Sequence, residues 1–218
     1  MRRFLLVMAL ILWMTSLWMI ITLGRIRGPV AHPDSPVRNI LYVHVPSSIC
    51  ALLCFVVLLV SSIAFLSSNR QGWDLIAAAS AEVGALFATV LNVTGMIFSR
   101  AEWNIWWTPS PRLISSAILW FLYIVYLILR TNLPGSAQRR GRICAVFGII
   151  AFLDVPMVFI SARFLPDIHR PNFSLESSAQ NVTLILSMIT VLLLASILIW
   201  IKTDIQKAQY QLDKESVN

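Results

Sequence analysis

The stretch from Ile40 to Leu66, ILYVHVPSSICALLCFVVLLVSSIAFL, contains no Asp, Glu, Lys or Arg. A helix that crosses the hydrocarbon core of a bilayer needs roughly 20 apolar residues, so this stretch is long enough to span a membrane. None of the apolar stretches alternates with the period of two that a membrane β-strand requires. The sequence therefore predicts an all-α integral membrane protein with six transmembrane helices. The other five predicted spans are Phe4–Leu23, Leu75–Phe98, Leu113–Leu129, Ile143–Ala162 and Val182–Ile201.

The composition supports the same fold class. Hydrophobic residues make up 58% of the chain and charged residues 12%, and the mean hydropathy is +0.77, whereas a soluble domain has about 25% charged residues. The net charge of +7 arises from basic residues at the ends of the apolar stretches, which favours contact with membrane lipid and no nucleic acid. We predict a membrane domain over residues 1–203 and a polar cytoplasmic tail over 204–218, with the first apolar stretch retained as an uncleaved helix.

The distribution of basic residues predicts the orientation. The segment Arg130–Arg142 is the most basic between two spans, and positively charged segments stay on the cytoplasmic side. Both termini are therefore expected in the cytoplasm, in a multi-pass membrane protein. The predicted outward loops are Gly24–Asn39, Ser99–Arg112 and Arg163–Asn181.

The second outward loop largely coincides with an aromatic segment, Arg100–Leu113, with the sequence RAEWNIWWTPSPRL. Trp103, Trp106 and Trp107 fit two interpretations. Indoles collect at membrane surfaces, where the ring stays apolar and the N–H reaches water. They also form flat platforms for large planar ligands.

All three histidines are predicted on the outward side, and His32, in the first outward loop, is expected to be solvated. His44 lies at the start of the second span and His169 follows the fifth. A neutral imidazole is a good ligand for haem iron, and two of them can hold haem axially. Local hydrogen bonding at the interface is the alternative. Four outward arginines could bind carboxylates such as haem propionates, or lipid phosphates. These are Arg38, Arg112, Arg163 and Arg170.

Ionisable and thiol groups also lie inside the predicted spans. Glu82 and Asp154 would be costly as isolated charges there, so we expect hydrogen bonding within the bundle, with a proton path as the alternative. Pro156 lacks a backbone donor and should kink the fifth span. The cysteines are expected to be buried apolar residues without a redox or metal role. They are Cys50, Cys54 and Cys144.

Together these residues resemble the haem exporter protein C family of bacterial cytochrome c maturation. The matching pieces occur in the family's order and cover nearly all of the chain. They are Arg38–Pro46, Ala81–Gly84 with Thr94-Gly95, Trp103–Leu113, Leu122-Tyr123 with Tyr126-Leu127, Asp154–Pro156, and His169.

The resemblance implies a non-enzymatic haem-handling protein. It implies that His44 and His169 are axial ligands of a haem b held transiently and without a covalent bond, on the platform of Trp103, Trp106 and Trp107. The arginines Arg38, Arg112 and Arg170 are then expected at the propionates. The implied partners are a periplasmic haem chaperone, which receives the haem, and the ABC-type transporter subunits of the maturation system.

The aromatic segment departs from the family pattern at two places. Asn104 stands where glycine is usual, and Pro109-Ser110 stands where Trp-Asp is usual. Three alternatives therefore stay open: a permease-like subunit without its own haem, a bis-histidine haem b electron-transfer subunit, and an assembly scaffold that has lost haem binding.

Overall fold

The structure is a computed structural model that describes residues 2–26, 36–164, 175 and 177–217. Over this part of the chain it is helical, with no strand. Six helical segments are long and apolar enough to cross a membrane, which confirms the predicted fold class. The helices are α1 (Arg2–Thr22), α2 (Leu41–Ser68, preceded by a 3-10 turn over Pro36–Ile40), α3 (Gln71–Trp103), α4 (Pro111–Asn132), α5 (Ala137–Ala151), α6 (Asp154–Phe164) and α7 (Ser178–Val217).

The centre of the bundle is the antiparallel pair α2 and α3. The buried face of α3 is rich in alanine, and small residues allow membrane helices to approach closely. Gly84 continues this face, since a Cβ there would overlap the ring of Tyr123 on α4. The Tyr123 hydroxyl donates a hydrogen bond to the carbonyl of Ala51 on α2 (2.6 Å). Close packing and buried hydrogen bonds thus join α2, α3 and α4.

The outer helices surround this pair. Helices α4 and α5 pack against α3 and α2, while α7 covers both on another side and α1 packs on α7. Ser16 on α1 and Thr190 on α7 share a hydrogen bond (3.0 Å). At about 1.5 Å per residue, the 40 residues of α7 reach far beyond a hydrocarbon core of roughly 30 Å.

The bundle has two ends. We call the end where α1, α3 and α6 finish and α2, α4 and α7 begin the histidine end, because it holds His44. We call the other end, where α1 begins and α7 finishes, the terminal end. The described parts of the three predicted outward loops all lie at the histidine end.

The fifth predicted span is interrupted near Pro156, where the sequence predicted a kink. Helix α5 ends at Ala151 and α6 begins at Asp154. Pro156 cannot donate to the carbonyl of Phe152, and the N–H of Val155 donates to it instead (3.0 Å). The kink prediction is therefore confirmed.

Several predicted loop boundaries were wrong. Helix α3 continues through Ser99 to Trp103, and only Asn69 and Arg70 separate α2 from α3. Most of the predicted Arg130–Arg142 loop is also helical. Polar residues at the membrane surface can stay helical because water forms hydrogen bonds with their side chains. Boundaries drawn from hydropathy alone therefore make the helices too short. An asparagine in the left-handed conformation follows both α2 and α3, Asn69 (φ 57°) and Asn104 (φ 59°).

Candidate functional site

His44 lies in the first turn of α2 and is half-buried against α3. Its Nδ1 is 3.0 Å from the hydroxyl oxygen of Thr94. That hydroxyl also lies 2.6 Å from the carbonyl oxygen of Val90. The next residue, Gly95, allows the ring to lie against the α3 backbone, since a Cβ there would be 3.1 Å from Cε1 of His44. Helix α3 thus sets both the polar contact and the position of the ring.

Six residues before His44, Arg38 joins the start of α2 to the end of α3. Its Nε and Nη2 donate to the two carboxylate oxygens of Glu102 at 2.6 and 2.8 Å. A bidentate pair of this kind is strong and directional. The structure therefore places the predicted propionate ligand Arg38 in an ion pair, and Glu102 is a site residue that the sequence reasoning missed. The available signal was an acid one residue before the end of α3.

The aromatic segment begins inside α3 and leaves it at Asn104. Asn104 adopts the left-handed conformation (φ 59°, ψ 22°), and its N–H donates to the carbonyl of Arg100. Glycine and asparagine are the residues that tolerate this conformation best. Asn104 is therefore a residue that can adopt this backbone conformation without being glycine. The guanidinium of Arg100 holds the turn by donating to the Asn104 carbonyl (2.6 Å).

The three indoles lie in different surroundings. Trp103, in the last turn of α3, is half-buried and contacts Phe98 edge to face, with ring centroids 5.6 Å apart. Trp106 and Trp107 follow the helix and are 56% and 43% exposed. The guanidinium carbon of Arg100 lies 5.9 Å from the ring centroid of Trp106, within cation–π range. Two of the three predicted platform residues therefore present large apolar surface outside the protein core.

The second departure from the family pattern lies at the start of α4. Ser110 is the N-cap residue, with an extended backbone and no capping bond from its side chain, and Pro111 is the first helical residue. Arg112 follows in the first turn and is half-buried. Proline is well suited to the first helical position. The Pro109-Ser110 variant is therefore compatible with a regular helix start.

Hydrogen bonds from side chains to backbone carbonyls join the neighbouring segments at this end. Tyr42 donates to the carbonyl of Gly24 after α1 (2.6 Å). Gln180 on α7 donates to the carbonyl of Arg25 (2.9 Å). The starts of α2 and α7 and the end of α1 are thus held together beside His44.

The remaining predicted site residues lie partly outside the described residues. His169 and Arg170 belong to residues 165–174, which the structure does not describe, so their approach to His44 remains a prediction. Arg163 lies exposed in the last turn of α6, at the histidine end. The structure therefore brings His44, Arg38, Arg112 and the three indoles to one end of the bundle.

The two acids inside the predicted spans lie in different surroundings. Glu82 forms an ion pair with Lys202 and accepts a hydrogen bond from Gln206 (2.8 Å), both on α7. This confirms the expected hydrogen bonding within the bundle for Glu82. One oxygen of Asp154, Oδ2, has no hydrogen-bond partner among the described residues. The three cysteines are buried, as predicted.

Comparison with known proteins gives one family. A family model described as "Heme exporter protein C" matches residues 1–217. Proteins of the same name from Paracoccus denitrificans and Rhodobacter capsulatus are 32% and 31% identical, each over 129 residues and 58% of this chain. The protein of that name from Escherichia coli strain K12 is 26% identical over 163 residues, or 73% of the chain. The matches cover 54%, 53% and 66% of these three relatives, so the chain spans about half the length of the first two.

Proposed function

Because this chain belongs to the haem exporter protein C family, we propose that it binds haem and passes it on during the maturation of c-type cytochromes. The observation that carries the proposal is the family match over residues 1–217. The position of His44 beside the exposed aromatic segment supports it, because an iron ligand and a planar apolar surface are what a porphyrin requires.

In this proposal haem b is a transient, non-covalently held cargo. His44 and His169 ligate the iron from the two axial sides. Trp106 and Trp107 stack on the macrocycle, and the half-buried Trp103 supports them from the end of α3. Stacking contributes only about 1 kcal/mol per ring beyond buried area, so the histidines supply much of the retention. Haem can then leave when a competing ligand replaces one of them.

Arginines at the same end neutralise the propionates. Arg112 and Arg170 are proposed as direct partners. Arg38 is bound to Glu102. It would therefore bind a propionate either while it stays paired with Glu102 or by exchanging the Glu102 carboxylate for the propionate. Both carboxylates would use the same guanidinium geometry.

The orientation and partners complete the proposal. The terminal end carries exposed basic side chains, which favours the cytoplasmic side of a bacterial inner membrane. The histidine end then faces the periplasm, where a haem chaperone receives the cargo, and ABC-type transporter subunits of the maturation system assist its release. The basic residues are Arg70, Arg139, Arg142 and Lys207.

The test is an absorption spectrum of the purified full chain, with and without reductant. We expect a Soret band in the wild type and its loss in His44→Ala and in His169→Ala, together with loss of c-type cytochromes in cells. His32→Ala is the matched control and should keep both. Absence of a Soret band in the wild type, with normal cytochromes in His44→Ala, would instead support a permease-like subunit. A stable band that resists transfer to a chaperone would support an electron-transfer subunit.

A further inference from the structure

The hydroxyl of Thr94 is placed between His44 and the backbone of its own helix. Its oxygen lies 2.6 Å from the carbonyl oxygen of Val90 and 3.2 Å from that of Leu91. A carbonyl oxygen can only accept, and a hydroxyl has a single proton to donate. The Thr94 proton is therefore directed at the backbone of α3, and its oxygen faces His44 as an acceptor.

With the Thr94 proton on the backbone, this arrangement favours a proton on Nδ1 of His44. Nδ1 is 3.0 Å from the Thr94 oxygen, and two acceptors cannot form a hydrogen bond with each other. Nδ1 must be the donor. A neutral imidazole has one N–H, so the lone pair is on Nε2, and a lone pair is what a metal ligand needs.

The backbone of α3 restricts the ring further. Gly95 lies against the edge of the imidazole, and a Cβ there would approach Cε1 to 3.1 Å. The hydrogen bond from Nδ1 to Thr94 and the contact of Cε1 with Gly95 thus act on adjacent atoms of the ring. Together they leave little freedom for the ring to rotate about its bond to Cβ.

We propose that Thr94 is a positioning residue that keeps the proton on Nδ1 of His44 and presents Nε2 to haem iron, with Gly95 providing the space for that orientation. This inference rests on the proposed function, since it assigns a role to the residue behind the proposed ligand. Partners that hold the second nitrogen of a ligating histidine orient the ring and increase its basicity. Thr94 does not touch the haem itself.

The first test needs no haem. The full chain, labelled with ¹⁵N-histidine and held in lipid nanodiscs, reports which imidazole nitrogen is protonated, and His44→Ala assigns the signal. We expect His44 in the wild type to be protonated at Nδ1. Thr94→Val keeps the branched shape but removes the acceptor, so we expect a shift toward the other tautomer. Thr94→Ser keeps the hydroxyl and should restore the wild-type signal.

The second test adds hemin to the same variants. Thr94→Val should weaken haem binding by roughly 10- to 100-fold, the usual effect of losing such a partner, and should raise the reduction potential of the bound haem. Thr94→Ser should remain close to the wild type. Thr89→Val is the matched control, because Thr89 makes the same bond to the carbonyl four residues earlier and accepts from the indole of Trp120 (2.8 Å). It should change neither readout.

The outcomes separate the two proposals. If the wild type binds no haem, the proposed function fails and the role of Thr94 in ligation fails with it. If His44→Ala removes haem but Thr94→Val alters neither the tautomer nor the potential, only the role of Thr94 is overturned. A wild-type His44 protonated at Nε2 would overturn it as well.

Discussion

An arginine binds both oxygens of a carboxylate at each end of the bundle, but the two pairs differ in burial. At the terminal end, Arg130 on α4 donates to Asp74 on α3 at 2.8 and 2.7 Å, and the side chains are 20% and 2% exposed. At the histidine end, Arg38 and Glu102 are 26% and 12% exposed. Asp74 also accepts from Gln71 (2.6 Å). The terminal pair is therefore the more deeply enclosed of the two.

The surroundings of the two pairs differ in the same way. Near Asp74, the connection between α2 and α3 is only two residues long, and Gly141 packs so closely that a Cβ would lie 2.8 Å from the carboxylate. Near Glu102, the chain leaves α3 and presents Trp106 and Trp107 outside the core. The terminal end therefore encloses its ion pair in close packing, while the histidine end leaves two indoles exposed beside its pair.

The largest expected effect comes from breaking the buried pair. Arg130→Met leaves the Asp74 carboxylate buried without its cation and should lower the free energy of unfolding by about 3–5 kcal/mol. Thermal unfolding in detergent measures this. The double variant Asp74→Leu with Arg130→Met should recover most of the loss, because an apolar pair can replace a buried ion pair.

The matching change at the histidine end is Arg38→Met. We expect a loss of only about 1 kcal/mol, since a more exposed pair is worth less, accompanied by weaker haem retention. Equal destabilisation by Arg38→Met and Arg130→Met would contradict the difference between the two ends.

Glycine substitutions test the same difference through packing. Gly141→Ala places a methyl group against Asp74 and Phe65 and should destabilise the protein by about 1–3 kcal/mol. Gly95→Ala should leave stability nearly unchanged but weaken haem binding, because it displaces the ring of His44. Gly72→Ala is the control, because a Cβ added at Gly72 would meet nothing within 4 Å. It measures the gain in helix propensity from glycine to alanine alone, which is roughly 1 kcal/mol. Loss of haem in Gly72→Ala would argue against a local effect at Gly95.

The exposed indoles should affect binding without affecting stability. Trp106→Ala is expected to weaken haem binding by about fivefold, equivalent to about 1 kcal/mol of stacking, while the unfolding free energy changes by less than about 0.5 kcal/mol. Trp73, 37% exposed near the terminal end, provides the matched indole. Trp73→Ala should leave the hemin titration unchanged, and a similar loss in both variants would show a non-specific effect.

The smallest effect is expected at the start of α4. Ser110→Asp restores the acid that the family usually has, at an N-cap position where serine and aspartate are about equally favoured. We expect wild-type cytochrome production and a stability change below about 0.5 kcal/mol, since the charge also interacts favourably with the helix N-terminus. A maturation defect in Ser110→Asp would show that the loop of this chain is adapted to a different partner.

Much of the fold was predictable from local sequence. The six spans follow from hydrophobic length, and the break before Asp154 follows from Pro156. The C-terminal end of α3 was not predictable in this way, because the residues from Ser99 to Trp103 stay helical although they lie outside the apolar stretch. The left-handed conformation of Asn104 was also missed, although asparagine in place of the glycine of the resembled family pattern was a signal for it.

The candidate site was only partly predictable. His44 stands out because an ionisable side chain within a span is uncommon, and the indoles stand out because three of them fall within five residues. Glu102 and Thr94 do not stand out, since an acid near a helix end and a threonine within a helix are common. Their roles depend on residues 64 and 50 positions away in the chain.

The sequence by itself determined that this protein is a six-span helical membrane protein, because a bilayer accepts only backbones that satisfy their own hydrogen bonds over a set length. It also determined which residues reach the histidine end, since alternating spans assign every loop to one end or the other. Only the tertiary structure decided that Arg38 pairs with Glu102, that Arg130 is buried with Asp74, and that Thr94 faces His44. These contacts depend on the rotation and depth of one helix against another, which close packing along α2 and α3 sets and no local pattern encodes.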